Sequence, residues 1–249
     1  MVKRVLVAGG TGRVGRIVVQ RLHDAGAQVR VLSRGRHRAD SASAVQYVTG
    51  DVTTGAGLAE ALDGVDAVVA CVDPMDHLVP AALAAGTPHL VYISIVGIEK
   101  VPFSYYQRKL ADEKLIAESG VPWTVLRTTQ FHDFVGAGLR MLAKSPVMPL
   151  PAGWSFQPVD AREVGAALAE LALGEPAGRV PDMGGPEVLS VGELAGLYLA
   201  AVGKHRLRVP LPVPGRVGRA FRSGAHLAPD RAVGAVPFAR YLDETGGRF

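Results

Sequence analysis

The sequence predicts an α/β fold built on a doubly wound parallel sheet, with a small C-terminal substrate-binding lobe. Three observations lead there. Short apolar runs alternate with helical stretches through the first half of the chain. The runs are near-continuous rather than alternating, as strands covered on both faces are. The helical stretches close on glycine before the next run begins, which marks strand–helix–strand repeats with short connectors.

Residues 5–8 form the first strand. Residues 13–25 form a helix with Val14, Ile17, Val18 and Leu22 on one side, ended by Gly26. Strands follow at 29–32 and 45–48, then a short helix at 58–62 closed by Asp63 and Gly64. A fourth strand at 67–71 leads to a helix at 76–85, closed by Gly86 with Pro88 just beyond. The fifth strand is 90–95, the next helix 104–119 closed by Gly120, and the sixth strand 123–126. After about Phe131 the texture changes. Pro146, Pro149, Pro151 and Gly153 make a loop, and Asp160 caps a helix reaching Leu173, with Glu163 at the third position of a capping box. Residues 183–186 form another loop, and Ser190 caps a helix over 190–202 with Glu193 three residues on. Beyond Pro210 the chain is rich in Pro, Gly and Arg. These segments lack a strand series and are expected to form the lobe over the carboxyl edge of the sheet. The expected organisation is a single domain over 1–249, with a core at about 1–133, a return segment at about 158–182, and the lobe at about 134–157 and 186–249.

The loop joining the first strand to the first helix carries the strongest chemical signal. Gly9-Gly10-Thr11-Gly12-Arg13-Val14-Gly15 fits both GxxGxxG and GxGxxG. In that context glycines permit a tight turn, a close backbone approach to a pyrophosphate, and close helix–strand packing. The helix N-terminus then offers free N–H groups to phosphate. This is a Rossmann-type dinucleotide signature. The other phosphate loop, GxxxxGK followed by Ser or Thr, does not occur, which argues against an NTPase.

Composition narrows the class further. The 249 residues are 48% hydrophobic and 20% charged, enough for a sizeable core. No apolar run approaches the ~18 residues of a membrane span. The run after Met1-Val2-Lys3-Arg4 is interrupted by Gly9-Gly10, too soon for a signal peptide. Cys71 is the single cysteine, so neither a disulfide framework nor a zinc ribbon is expected. The seven histidines show no metal-ligand spacing. The net charge of +4 is concentrated after residue 200, without the aromatic-studded basic face or module of a nucleic-acid binder. The expectation is a cytoplasmic monomer or homodimer acting on a small-molecule substrate, with no metal, nucleic acid or membrane partner.

A site for NAD places an Asp or Glu at the end of the second strand, on the ribose 2′-hydroxyl. Here no acid lies between Asp24 and Asp40. The strand ends Ser33-Arg34, followed by Arg36 and Arg38, and guanidinium groups suit a 2′-phosphate that a carboxylate would repel. NADPH is therefore the expected cofactor, with Arg34 foremost and Ser33 beside it. At the end of the third strand, Asp51 either takes the adenine amino group, with Val52 packed on the ring, or caps the turn. The other strand ends, where ligands of open parallel sheets bind, bring up Cys71, Ser94 and Thr128.

Eleven residues after Ser94 comes Tyr105-Tyr106-Gln107-Arg108-Lys109, with Tyr105 and Lys109 one helical turn apart. Hydride delivery to a carbonyl leaves an alkoxide that needs a proton. A tyrosine with a free pKa of ~10 gives it more readily beside a lysine ammonium, while a serine hydroxyl polarises the carbonyl oxygen. Tyr105, Lys109 and Ser94 are therefore the candidate catalytic residues. Ser94 is not in a GxSxG elbow, because Tyr92 stands where its first glycine would be.

Taken together, the glycine loop, Gly50-Asp51-Val52, Ser94-Ile95-Val96-Gly97 and Ser119-Gly120-Val121-Pro122-Trp123-Thr124-Val125-Leu126-Arg127 resemble the atypical short-chain dehydrogenases/reductases. Within these the chain is similar to the NmrA-like, NAD(P)H-binding branch over nearly its whole length, including Pro158-Val159-Asp160 and Gly184-Gly185-Pro186-Glu187. The resemblance implies NADPH binding through Gly9, Gly12, Gly15 and Arg34, with Asp51 at the adenine and Lys109 at the ribose. Thr11, Arg13 and Val14 complete the phosphate loop. The branch includes quinone, carbonyl and alkene reductases and also redox-sensing regulators. Many members lack an active-site tyrosine; this chain keeps Tyr-x-x-x-Lys, though its Ser94-to-Tyr105 spacing is shorter than in longer-looped relatives. The expected function is an NADPH-dependent oxidoreductase acting on a small hydrophobic or aromatic carbonyl or quinone, with Phe131, Phe134 and Trp154 as candidate apolar walls. The alternatives are a non-catalytic NADP(H)-sensing regulator and an epimerase or dehydratase that retains its cofactor.

Overall fold

A computed structural model of the chain describes residues 2–35 and 45–248. In chain order the elements are β1 (Arg4–Ala8), α1 (Arg13–Asp24), β2 (Gln28–Ser33), β3 (Val45–Thr49), α2 (Leu58–Leu62), β4 (Ala67–Ala70), α3 (Leu78–Ala84), β5 (Leu90–Ile95), α4 (Ser104–Glu118) and β6 (Trp123–Thr128). Then come α5 (His132–Leu142), β7 (Val147–Pro151), β8 (Ser155–Phe156), α6 (Ala161–Leu173), β9 (Gly178–Arg179), β10 (Leu189–Ser190), α7 (Val191–Ala201), β11 (Leu207–Leu211), α8 (Gly215–Arg222) and α9 (Phe238–Thr245). No helix among the described residues is long and apolar enough to cross a membrane.

The chain divides into two compact units. The first comprises Met1–Ser94, Arg108–Leu126 and Ala161–Val180. It holds a seven-stranded parallel sheet in the order β3-β2-β1-β4-β5-β6-β9. The predicted α/β class is therefore present. β1 pairs with β2 on one side and β4 on the other, so the strand order reverses direction there. In open α/β sheets, ligands bind in the crevice beyond the strand ends at that switch point. The near-continuous apolar runs are explained by burial on both faces: Val5 to Ala8 and all four residues of β4 have no exposed surface. On one face Leu6, Ala8, Val68, Ala70 and Tyr92 pack with Leu58 and Leu62 of α2, Leu78 of α3 and Ile116 of α4. On the other, α1 and α6 pack on each other, α1 against β1 and β2 and α6 against β4.

The second unit comprises Ile95–Gln107, Arg127–Asp160 and Pro181–Phe249. Its core joins Val135 and Leu139 of α5, Met148 of β7, Leu194 and Tyr198 of α7, and Phe238 and Leu242 of α9. Helix α7 begins on the expected capping box: the Ser190 hydroxyl accepts from the Glu193 amide, and the Glu193 carboxylate accepts from the Ser190 amide. Two short sheets, β10-β8 and β11-β7, complete it. Trp154 does not stand alone as an apolar wall. It stacks on Phe221 at 4.2 Å in a group with Phe156 and His226. Phe134 is 67% exposed.

His226 is buried, and its Nε2 donates to the Ser155 carbonyl at 2.8 Å, which leaves Nδ1 as an acceptor with no hydrogen-bond partner among the described residues. Burial therefore holds its pKa below the ordinary 6.5, despite the opposing pull of the Ser155 carbonyl. A group whose pKa is lower folded than unfolded leaves stability intact above the unfolded value and erodes it below, where the unfolded chain takes up the proton first. Urea unfolding at about pH 7.5 and about pH 5.5 should show a loss of stability on acidification that is smaller in His226→Phe. An identical loss in both proteins would assign the acid sensitivity elsewhere.

Candidate functional site

The glycine loop is built by backbone geometry. Gly9 has φ 82°, in the left-handed region, and a Cβ there would stand 2.8 Å from the Cys71 carbonyl oxygen. The Gly12 amide donates to the Gly9 carbonyl at 2.9 Å and closes the turn. Helix α1 then starts with Arg16 N–H to Gly12 C=O at 3.0 Å, with no side-chain cap on its N-terminus and no acid in its first turn. The amides of Val14 and Gly15 precede that first helical bond. They are the donors such a terminus offers to an anion. Gly15 packs directly beneath Gly9 and Gly10, where any Cβ would overlap the Gly9 carbonyl oxygen.

A cavity of about 260 Å³ opens over this loop. Its walls come from consecutive strand ends: Asp51 and Val52 after β3, Ser33 and Arg34 at β2, Gly9 and Thr11 after β1, and Val72 and Asp73 after β4. Ser33 is buried, whereas Arg34 is exposed. The cavity's concave backbone floor, the uncapped helix start and the cation at one end fit an extended phosphorylated dinucleotide. Arg36 and Arg38 lie outside the described residues. Asp51 takes the turn-capping role. Its carboxylate accepts from the Thr53 amide at 2.8 Å, and this bond, with the Thr53 hydroxyl and the Arg34 guanidinium, holds its pKa below the usual carboxylate range. It also lines the cavity, so the adenine role stays compatible with its position.

Between β4, β5 and α4 lies a cluster that the spacing of residues did not reveal. Lys109 is only 4% exposed. Its ammonium donates to the Ile93 carbonyl at 2.8 Å, meets Asp73 Oδ1 at 3.0 Å, and lies 4.4 Å from the centre of the Tyr92 ring. The Tyr92 hydroxyl donates to the same Asp73 oxygen at 2.7 Å, with Asp112 Oδ2 at 3.3 Å. Asp112 in turn accepts from the Met75 amide at 3.2 Å. Burial, followed by the neighbouring carboxylates, pushes the Tyr92 pKa far up. Burial also raises that of Asp112. The Cys71 thiol is pushed up to about 12, chiefly by burial, so it is neutral and not a nucleophile, and it is not among the residues that line the cavity.

The catalytic candidates occupy different environments. Ser94 is 1% exposed, and its hydroxyl has no hydrogen-bond partner among the described residues. Tyr105 is 47% exposed, one turn before the buried Lys109 on α4. Tyr106 is the buried tyrosine of the pair; its hydroxyl accepts from Gln130 Nε2 at 3.4 Å. Thr128 is buried at the end of β6, and its carbonyl accepts from the Val96 amide at 3.0 Å.

The switch-point crevice, the uncapped α1 terminus and the glycine loop define an α/β dinucleotide-binding protein. The chain belongs to the NAD(P)H-binding family, which matches residues 9–151. It is 35% identical over 201 residues to the (4-alkanoyl-5-oxo-2,5-dihydrofuran-3-yl)methyl phosphate reductase of Streptomyces griseus subsp. griseus, covering 76% of this chain and 70% of that protein. It is 32% identical over 215 residues to the NAD(P)H azoreductase of Xenophilus azovorans, covering 80% of this chain and 74% of that protein. The crystal structure of the NADPH-dependent quinone oxidoreductase of Escherichia coli complexed with NADPH shares the fold. It superposes with a TM-score of 0.82 at 18% identity, over 96% of this chain and 99% of that one. The NmrA-like resemblance and the nicotinamide cofactor expected from the sequence both agree with these matches.

Proposed function

We propose that the chain is an NADPH-dependent reductase of a small hydrophobic or aromatic carbonyl or quinone. The observation that carries this reading is that two relatives, each matched over about three quarters of the chain, are both named as reductases. NADPH, when bound, supplies a hydride. The residues of the chain do the rest. The Val14 and Gly15 amides and the α1 dipole hold the pyrophosphate. Arg34, with Ser33, receives the 2′-phosphate. The Ser94 hydroxyl, buried without a partner among the described residues, polarises the acceptor oxygen. Tyr105 gives the proton that an alkoxide or quinol oxygen requires.

The test is NADPH oxidation by the purified chain against a panel of quinones and ketones. The wild type is expected to consume NADPH with at least one acceptor. Tyr105→Phe should slow that turnover by about a hundredfold or more at unchanged NADPH affinity, the usual cost of losing a general acid. Tight NADPH binding with no oxidation by any acceptor would instead leave a cofactor-sensing regulator as the reading. Cofactor retained through purification with no net consumption would favour an epimerase or dehydratase.

A further inference from the structure

We infer that Asp73 anchors the nicotinamide ribose of the dinucleotide, and that Lys109 and Tyr92 hold it in place to do so. The inference rests on the NADP(H) site proposed above. The cavity lining follows the order of the sheet, with the β3 end, the β2 end, the β1 loop and the β4 end in succession. A dinucleotide laid along it puts its phosphorylated adenosine at Asp51 and Arg34 and its pyrophosphate at Gly9 and Thr11. Its second ribose then reaches the end of β4. There the lining residues are Val72 and Asp73, and only Asp73 carries a polar side chain.

Asp73 is prepared for a hydroxyl. Its Oδ1 receives both the Tyr92 hydroxyl at 2.7 Å and the Lys109 ammonium at 3.0 Å. Its Oδ2 has no donor among the described residues, and the side chain is 19% accessible. A carboxylate only accepts hydrogen bonds, and a ribose hydroxyl donating to an ionised oxygen makes one of the stronger kinds. A bare carboxylate so near a pyrophosphate would repel it. The buried Lys109 ammonium cancels that charge and is itself pinned by the Ile93 carbonyl. Two residues further on, the Met75 amide is bound by Asp112, so the loop is fixed on both sides of Pro74. The acceptor is thus ordered before the ligand arrives, which is how a binding site avoids the entropic cost of arranging it on binding. Lys109 in this arrangement reaches the ribose through Asp73.

The experiment is calorimetric titration of the full chain with two probes. NADP⁺ carries the nicotinamide ribose; adenosine 2′,5′-bisphosphate carries the same phosphorylated adenosine and lacks it. Asp73→Ala is expected to weaken NADP⁺ binding about ten- to a hundredfold, the loss of one hydrogen bond to a charged group, and to leave the bisphosphate within about twofold. Arg34→Ala, at the opposite end of the cavity, should weaken both probes. Tyr92→Phe keeps the buried ring and removes only the donor to Asp73. It should weaken NADP⁺ alone, by about threefold, and it carries the test if Asp73→Ala fails to fold. Unchanged NADP⁺ affinity in either variant, or equal losses for both probes, overturns the inference. A wild-type chain that binds neither probe would overturn the cofactor reading itself, which is a separate failure.

Discussion

Gly15→Ala is expected to abolish dinucleotide binding, with an affinity loss of at least about a hundredfold, because two charge-assisted amide contacts are displaced together. The single methyl would overlap the Gly9 carbonyl oxygen and lie 2.7 Å from the Gly10 Cα. Both obstacles are backbone, so neither moves aside as a flexible side chain would. The first turn of α1 must lift from the loop, which takes the Val14 and Gly15 amides away from the phosphate position. Overpacking a rigid site costs about 1–3 kcal/mol and more where backbone must move. For a chain of this size a thermal midpoint about 5–10 °C lower is expected. Gly12→Ala is the internal comparison. Its Cβ would meet only the Gly9 carbonyl oxygen, at 3.1 Å, and Gly12 has an extended backbone that alanine adopts freely. Its loss of NADPH affinity, measured by fluorescence titration, should be at least about tenfold smaller. Equal effects of the two alanines would mean that close packing under the loop is not what Gly15 provides.

That contrast also shows what the sequence made legible. The glycine loop was readable because its physics is local: a strand, a tight turn and a helix start within fifteen residues. Strand positions through β6 were readable for a similar reason, since burial on both faces writes itself as unbroken apolar runs. Their ends were less so. β6 runs on to Thr128 instead of stopping at Leu126, because Gly178 and Arg179 pair with Thr124 and Val125 and Met183 pairs with Thr128, partners more than fifty residues away. Helix α5 was assigned no element from the sequence. Its outward positions carry Phe134 and Met141, and His132 and Gly136 stand among its buried positions, so the residue types blur the contrast between its two faces. The α3 start also moved, from Asp76 to Leu78, with the Met75 amide drawn to Asp112.

The site shows the same division. Ser33, Arg34 and Asp51 were named from their places at strand ends, and all three line the cavity over the glycine loop. Lys109 was found as half of a helical pair with Tyr105, and that spacing gave no hint that its ammonium is committed to Asp73 and Ile93. Tyr92 and Asp112 are separated by twenty positions and join only because β5 lies beside α4. One signal was available. A tyrosine inside a buried strand needs a partner for its hydroxyl, and Asp73 at the neighbouring strand end is within reach of it.

Gln157→Leu is expected to have the largest effect on stability. Gln157 has no exposed surface, and its amide makes three bonds to backbone: Nε2 donates to the Gly185 carbonyl at 2.8 Å and the Ala228 carbonyl at 3.1 Å, and Oε1 accepts from the Ala228 amide at 2.8 Å. Beside it the Thr129 hydroxyl donates to the Gln157 carbonyl and accepts from the Gly185 amide at 3.2 Å. One side chain thus ties the segment after β8 to two loops of the second unit that have little regular structure of their own. Leucine fills a similar volume but leaves the Gly185 carbonyl and the Ala228 amide without partners among the described residues, while the Ala228 carbonyl keeps the Arg231 amide at 2.9 Å. At about 1–3 kcal/mol for each of the two unsatisfied groups, and with incomplete additivity, the loss should be about 2–4 kcal/mol. That corresponds to a thermal midpoint lower by about 5–15 °C. The cavity over the glycine loop, proposed above to hold the dinucleotide, is lined wholly by residues of the first unit. NADP⁺ affinity measured in the cold, where the variant is folded, should therefore stay within about threefold of wild type. A thermal midpoint within about 2 °C of wild type would mean that water or a loop shift satisfies those backbone groups when the amide is gone.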